Sequence, residues 1–186
     1  MTDPITHNPL PPLPEWLPAR LPYHGDWNSF LRALYALFSL DFKSGTLRFR
    51  NCPVWYDRRI DKADSHGYEE GFWHLVSHDE FVWNPKLRRK EKQRLPDIER
   101  ARHLPWCRPT VENEDKPEAL IWNFDEKAMK GNVVRTYIWL KHWNFVVVLE
   151  RQEKAQGPIF MLITAFLVDF PAKRIDLESR YNRRKK

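Results

Sequence analysis

Residues 133–168 read VVRTYIWLKHWNFVVVLERQEKAQGPIFMLITAFLV. β-branched and aromatic side chains dominate three runs here, at 133–140, 145–150 and 159–168, and such residues suit a pleated, half-buried surface. The first two runs are separated only by residues 141–144, a spacing that predicts an antiparallel hairpin. Gly157 and Pro158 then turn the chain into the third run. That run is apolar at nearly every position, as expected of a central strand covered on both sides, and Thr164 is its one polar interruption. A fourth run at 120–124 completes a small antiparallel sheet of about four strands. Downstream, Pro171 opens a C-terminal helix carrying Ile175, Leu177 and Tyr181, and the chain ends on Arg183, Arg184, Lys185 and Lys186.

Working back from this sheet, the pattern becomes helical. Phe30, Leu31, Leu34, Leu37 and Phe38 recur at steps of three and four, with Asp26 placed to cap, so residues 27–40 read as a core helix. Runs at 46–50 and 54–58, divided by Asn51 and Pro53, suit a hairpin or two edge strands. Residues 67–79 return to helical spacing, with Tyr68, Phe72, Leu75 and Val76 on one stripe and Glu70, His74 and His78 on the other. The basic run KLRRKEKQR at 86–94 precedes Pro96 and Asp97, residues suited to a helix start, and that helix extends to about His103 and ends before Pro105. An acidic linker follows at 112–118. The fold class expected is therefore α+β, with N-terminal helices packed against the small antiparallel sheet and a helix at the C-terminus.

Seven of the fifteen prolines fall in residues 1–22. This segment can neither form a helix nor join a central strand, and it reads as an extended arm whose Leu10, Leu13, Trp16, Leu17 and Leu21 pack along the domain. Residues 23–186 form one domain. The net charge of +6 and pI near 9.4 favour polyanionic partners, nucleic acid above all. Cys52 and Cys107 are too few for a disulfide framework and lack zinc-knuckle spacing, so they read as reduced and structural. No run approaches the roughly 18 apolar residues of a membrane span, and no leader pattern opens the chain, so the default expectation is cytoplasmic with no membrane partner.

Few residues invite chemistry. His74 can give or take a proton near neutral pH, and Glu70, four residues earlier, is placed to orient it. The bland alternative is a solvated helix face. His74, His78 and Glu70 also admit a metal reading, but HLVSH lacks the Glu that follows the first His in a metalloprotease, and no metal or other cofactor is expected. Arg88, Arg89, Lys92 and Arg94 suit a phosphate backbone, against the ordinary role of a solvated basic face. Arg100, Arg102 and Arg108, with Trp106, set guanidinium groups beside an aromatic ring. Thr164 either bonds a neighbouring backbone group or donates to a phosphate, and Lys141 is a further cation in the hairpin turn. No glycine-rich phosphate loop, nucleophile elbow or CxxC pair occurs.

The order GFWHLVSH, LPDIERARHLPW, VRTYIWL, VVVLE, LITAFLVD resembles phage and mobile-element proteins of the barnase/EndoU/colicin/RelE-like (BECR) nuclease fold, over about residues 68–170. The resemblance implies RNA cleavage, tRNA included, without metal, by attack of the 2′-hydroxyl on the adjacent phosphorus. It implies a toxin or defence component, with a neutralising antitoxin or immunity protein as partner. It places the helical His on His74, a phosphate-holding Arg on Arg100 or Arg102, and the sheet hydroxyl on Thr164. On this reading the three converge across a cleft. Two other classes stand beside it: a non-catalytic RNA- or DNA-binding regulator, and an interaction protein that docks a partner through its proline arm.

Overall fold

The computed structural model describes residues 11–60, 66–128 and 131–184. Leu10 of the arm and the last two residues of the basic tail lie outside them.

Asp26 accepts a hydrogen bond from the Asn28 amide (3.0 Å), capping helix α1 (Trp27–Phe38), which buries Phe30, Leu31, Leu34 and Phe38. The helix loosens into a π turn (Ser39–Lys43) and passes to strands β1 (Arg48–Phe49) and β2 (Cys52–Tyr56). Helix α2 (Glu70–Val76) runs without a loop into β3 (Ser77–Asn84), which pairs with β4 (Arg89–Pro96). Two short helices, α3 (Ile98–Arg102) and α4 (Leu104–Glu112), precede β5 (Ala119–Ala128), β6 (Gly131–Leu140), β7 (Phe145–Lys154) and β8 (Gly157–Leu167). Helix α5 (Pro171–Asn182) follows.

The expectation of a four-stranded antiparallel sheet is corrected. The main sheet has six strands in the order β1-β2-β8-β7-β6-β5 and is mixed, because β2 runs parallel to β8 with Val54, Trp55 and Tyr56 opposite Phe160, Met161 and Leu162. The partners are about a hundred residues apart in sequence, and a local pattern contains nothing that encodes such a pairing. β3 and β4 form a separate two-stranded sheet.

Two further boundaries move. The predicted helix over 67–79 stops at Val76, because the Ser77 hydroxyl bonds back to the Trp73 carbonyl (2.7 Å) and the Ser77 backbone turns extended. His78 therefore lies on a strand. Pro105, read as a stop, sits in the first turn of α4, where its missing N–H costs nothing.

The sheet is covered on both faces. One face carries Ile138, Leu140, Phe145, Val147 and Leu149 into a core with the buried residues of α1, α2 and α4. The other packs Trp122, Tyr137, Trp139, Val146 and Val148 against Leu177 of α5. Accordingly β7 is buried at five successive positions from Phe145 to Leu149, the continuous apolar run that a doubly covered strand requires. The proline arm is part of this body. Leu17 is only 4% exposed, the Leu21 amide donates to the Arg102 carbonyl (2.9 Å), and the Trp143 indole donates to the Pro11 carbonyl (3.1 Å). No helix among the described residues is long and apolar enough to cross a membrane.

Candidate functional site

β2 pairs with β8 only as far as Leu162. Beyond that point α2 lies against β8, and the Thr164 hydroxyl donates to the His74 backbone carbonyl (2.9 Å). On the outer side of α2, where the helix gives way to the hairpin, Trp73, His74, Ser77, His78, Asp79, Arg94 and Arg100 line a pocket of about 200 Å³.

The helix presents His74 outward because Phe72, Leu75 and Val76 take the inward stripe. Its side chain is about half exposed, with Nε2 3.8 Å from a Glu70 carboxylate oxygen. The same oxygen accepts a hydrogen bond from Arg94 Nη2 (2.7 Å), and the Arg94 guanidinium lies 5.3 Å from the centroid of the Trp73 ring. Burial at this junction lowers the His74 pKa below the ordinary imidazole value, against the attraction of Glu70, so the ring is neutral at pH 7. His78 faces Asp97 with Nδ1 3.8 Å from a carboxylate oxygen. Asp79 holds Lys92 at 2.6 Å.

Arg100 is fixed at the floor. Asp97 caps α3 through the Arg100 amide (3.0 Å) and lies 3.3 Å from its Nε, while Nη1 donates to the Ser77 carbonyl (2.7 Å) and, at 3.5 Å, to that of His74. The guanidinium thus satisfies carbonyls left open where α2 ends. Its Nη2 makes no hydrogen bond among the described residues.

The pocket therefore unites His74, Arg100 and Arg94 from the residues singled out in the sequence, together with His78. Thr164 reaches His74 through the backbone, so its hydroxyl serves as a clamp between β8 and α2. Arg102 is directed elsewhere: Nε donates to the Leu21 carbonyl (3.1 Å) and Nη1 to Glu99 (2.9 Å), holding the proline arm. Trp106 is 3% exposed and gives its indole N–H to the Pro18 carbonyl (2.8 Å), which leaves no face for a base. Lys141 pairs with Glu178 on α5 (2.9 Å). Arg88 stands at the hairpin turn with φ near 50°, Arg89 lies 3.4 Å from Glu91, and Lys92 is on the hairpin with Arg94. Among the described residues no group of three or more His, Cys, Asp or Glu side chains is arranged to hold a metal ion. Glu70 is turned toward Arg94.

Sequence reasoning missed Ser77, Asp79 and the strand character of the hairpin. The signal was present: Asn84 takes the amides of Lys86 (3.0 Å) and Leu87 (3.2 Å) on its side-chain oxygen, a turn that Asn84 and Pro85 announce.

Comparison of the chain with protein-family models, with curated proteins and with solved structures finds no match.

Proposed function

We propose that the protein is an endoribonuclease that cuts RNA by 2′-hydroxyl transesterification at the pocket between α2 and the β3–β4 hairpin. One arrangement supports the reading above others: a half-exposed His74, held neutral, shares its pocket with a second imidazole and two guanidinium groups. Neutral His74 takes the proton of the 2′-hydroxyl as its oxygen attacks the adjacent phosphorus. His78, the second imidazole of the pocket, acts in its protonated form and gives that proton to the departing 5′-oxygen as the phosphorus–oxygen bond breaks. Arg100 and Arg94 offset the negative charge that gathers on the phosphorane oxygens. The products are a 2′,3′-cyclic phosphate and a 5′-hydroxyl. The reading implies the cytoplasm, where RNA is abundant and Cys52 and Cys107 stay as thiols, and a neutralising protein partner.

A second reading, non-catalytic binding of RNA or DNA, is favoured by a different observation. Arg94 and Arg100 are both engaged, with Glu70 and with backbone carbonyls, and less of their charge is left for a transition state. Incubating the purified protein with end-labelled tRNA and total RNA, with and without EDTA, separates the two. The nuclease reading expects chelator-resistant cleavage leaving cyclic phosphate ends, reduced about a hundredfold or more in His74→Ala. No cleavage, cleavage unchanged in the variant, or loss of cleavage in EDTA would overturn it.

A further inference from the structure

In an antiparallel pair, residues directly opposite each other share a face, and so do alternate residues along each strand. Phe81 is opposite Lys92, Trp83 opposite Lys90, and Asp79 opposite Arg94. One face of the hairpin therefore carries two aromatic rings in a row, with three cations in a parallel row beside them. Phe81 and Trp83 are 65% and 57% exposed. Large apolar side chains left this open on a ribbon that stands apart from the main sheet are the informative kind of exposure. The opposite face, with Val82, Asn84 and Glu91, is the more covered one, and its only ring is the His78 imidazole at the pocket end.

We propose that this face is a stacking platform for unpaired bases, so that the nucleic acid reaching the pocket is single-stranded. The inference rests on the nucleic-acid part of the proposed function and names its substrate class. Three observations carry it. Alternate residues on a strand are about 6.8 Å apart, a separation that accepts successive bases of an extended strand, one on each ring. The cations lie alongside the rings, so a strand whose bases lie on Phe81 and Trp83 runs its phosphates over Lys90 and Lys92. The row also ends at the pocket, because Arg94 and Asp79 belong both to this face and to the lining around His74. Paired bases present their edges, leaving no face to stack, and a duplex gains only the charge.

The test uses fluorescein-labelled oligodeoxythymidine, alone and annealed to oligodeoxyadenosine, titrated with the full chain and followed by anisotropy. Deoxy strands lack the 2′-hydroxyl that cleavage needs, so binding is read without turnover. The single strand is expected to bind more tightly than the duplex. Phe81→Ala with Trp83→Ala should weaken single-strand binding about tenfold or more, and Trp83→Phe should retain most of it. Lys90→Gln with Lys92→Gln should flatten the salt dependence by about one unit of slope per lysine. Both aromatic positions are exposed, and circular dichroism of the variants should match the wild type. Absence of wild-type binding, equal affinity for duplex and single strand, or unchanged affinity in the aromatic variant would overturn the proposal. So would concentration-dependent dimerisation that needs Trp83 in the absence of nucleic acid, which would assign the face to a second copy of the chain. Failure of RNA cleavage with single-strand binding intact removes the nuclease reading and leaves the platform standing.

Discussion

His103 sits at the joint between α3 and α4, 3% exposed, with Nδ1 donating to the Glu99 carbonyl (2.6 Å). Burial lowers its pKa below that of a free imidazole, in spite of the carbonyl contact, which favours the charged ring. The unfolded chain therefore binds a proton at a pH where the folded one does not. Its contribution to stability is complete above the unfolded value of about 6.5 and is lost as pH falls toward the folded value. One such group gives a slope of at most about 1.4 kcal/mol per pH unit. Urea midpoints should thus fall between pH 8 and pH 5.5, and His103→Asn should reduce that fall even though it lowers stability at both values. An unchanged slope in the variant would assign the acid sensitivity to other groups. His74 shifts in the same direction, and through the same sign it keeps a neutral base available at pH 7.

At the scale of elements, the site depends on how closely α2 approaches β2. Gly71 donates its amide to the Asp57 carbonyl (2.9 Å), and a Cβ at this position would meet the Asp57 nitrogen and the Tyr56 side chain at 3.0 Å. Two effects of Gly71→Ala oppose each other. Helix propensity favours Ala by about 1 kcal/mol, whereas forcing a methyl against backbone typically costs about 1–3 kcal/mol. Because the Asp57 nitrogen cannot swing aside as a side chain can, the contact should win, and the variant should be less stable than the wild type in chemical denaturation. A more stable variant would show that α2 is free to slide outward. The junction between α2 and β3 follows the same logic of competing bonds. A helix continued through residue 79 would have kept Glu70, His74 and His78 on one stripe, but Ser77 and Arg100 take the carbonyls that end it. The change of element leaves His78 in the pocket, reached from a strand.

At the scale of the molecule, the proline-rich arm is a packed part of the domain. Leu17 lies in the core cluster, and Arg102, Trp106 and Trp143 each hold the arm through a backbone carbonyl of Leu21, Pro18 and Pro11. Removing residues 1–22 uncovers Leu17's seat, a loss of about 1.5–3 kcal/mol, and leaves the Trp106 indole N–H without its acceptor, about 1–3 kcal/mol more if water cannot reach it. A chain beginning at Tyr23 should therefore melt well below the full chain, while Trp106→Phe, which loses the donor and the volume of the five-membered ring, should cost about 1–3 kcal/mol. Equal melting temperatures for the full and shortened chains would return the arm to the role of a linker.

The amino-acid sequence by itself determined what depends on neighbours in the chain. Periodicity located α1, the four later strands and α5, and the short spacing at residues 141–144 dictated the β6–β7 hairpin. It also marked His74 as outward-facing, since the stripe of Phe72, Leu75 and Val76 leaves only one side for it. Tertiary structure alone decided what depends on distant partners. The parallel joining of β2 to β8 is set by burial of both strands in a common core and not by any turn between them. The same holds for the site residues. Arg100 and Arg102 are two positions apart on one short helix, yet one turns to the carbonyls of α2 and the other to the arm. Thr164 is bound to a backbone group from an element ninety residues away. A guanidinium or a hydroxyl takes its role from whichever unsatisfied partner folding brings within reach, and that partner is not encoded in the residues beside it.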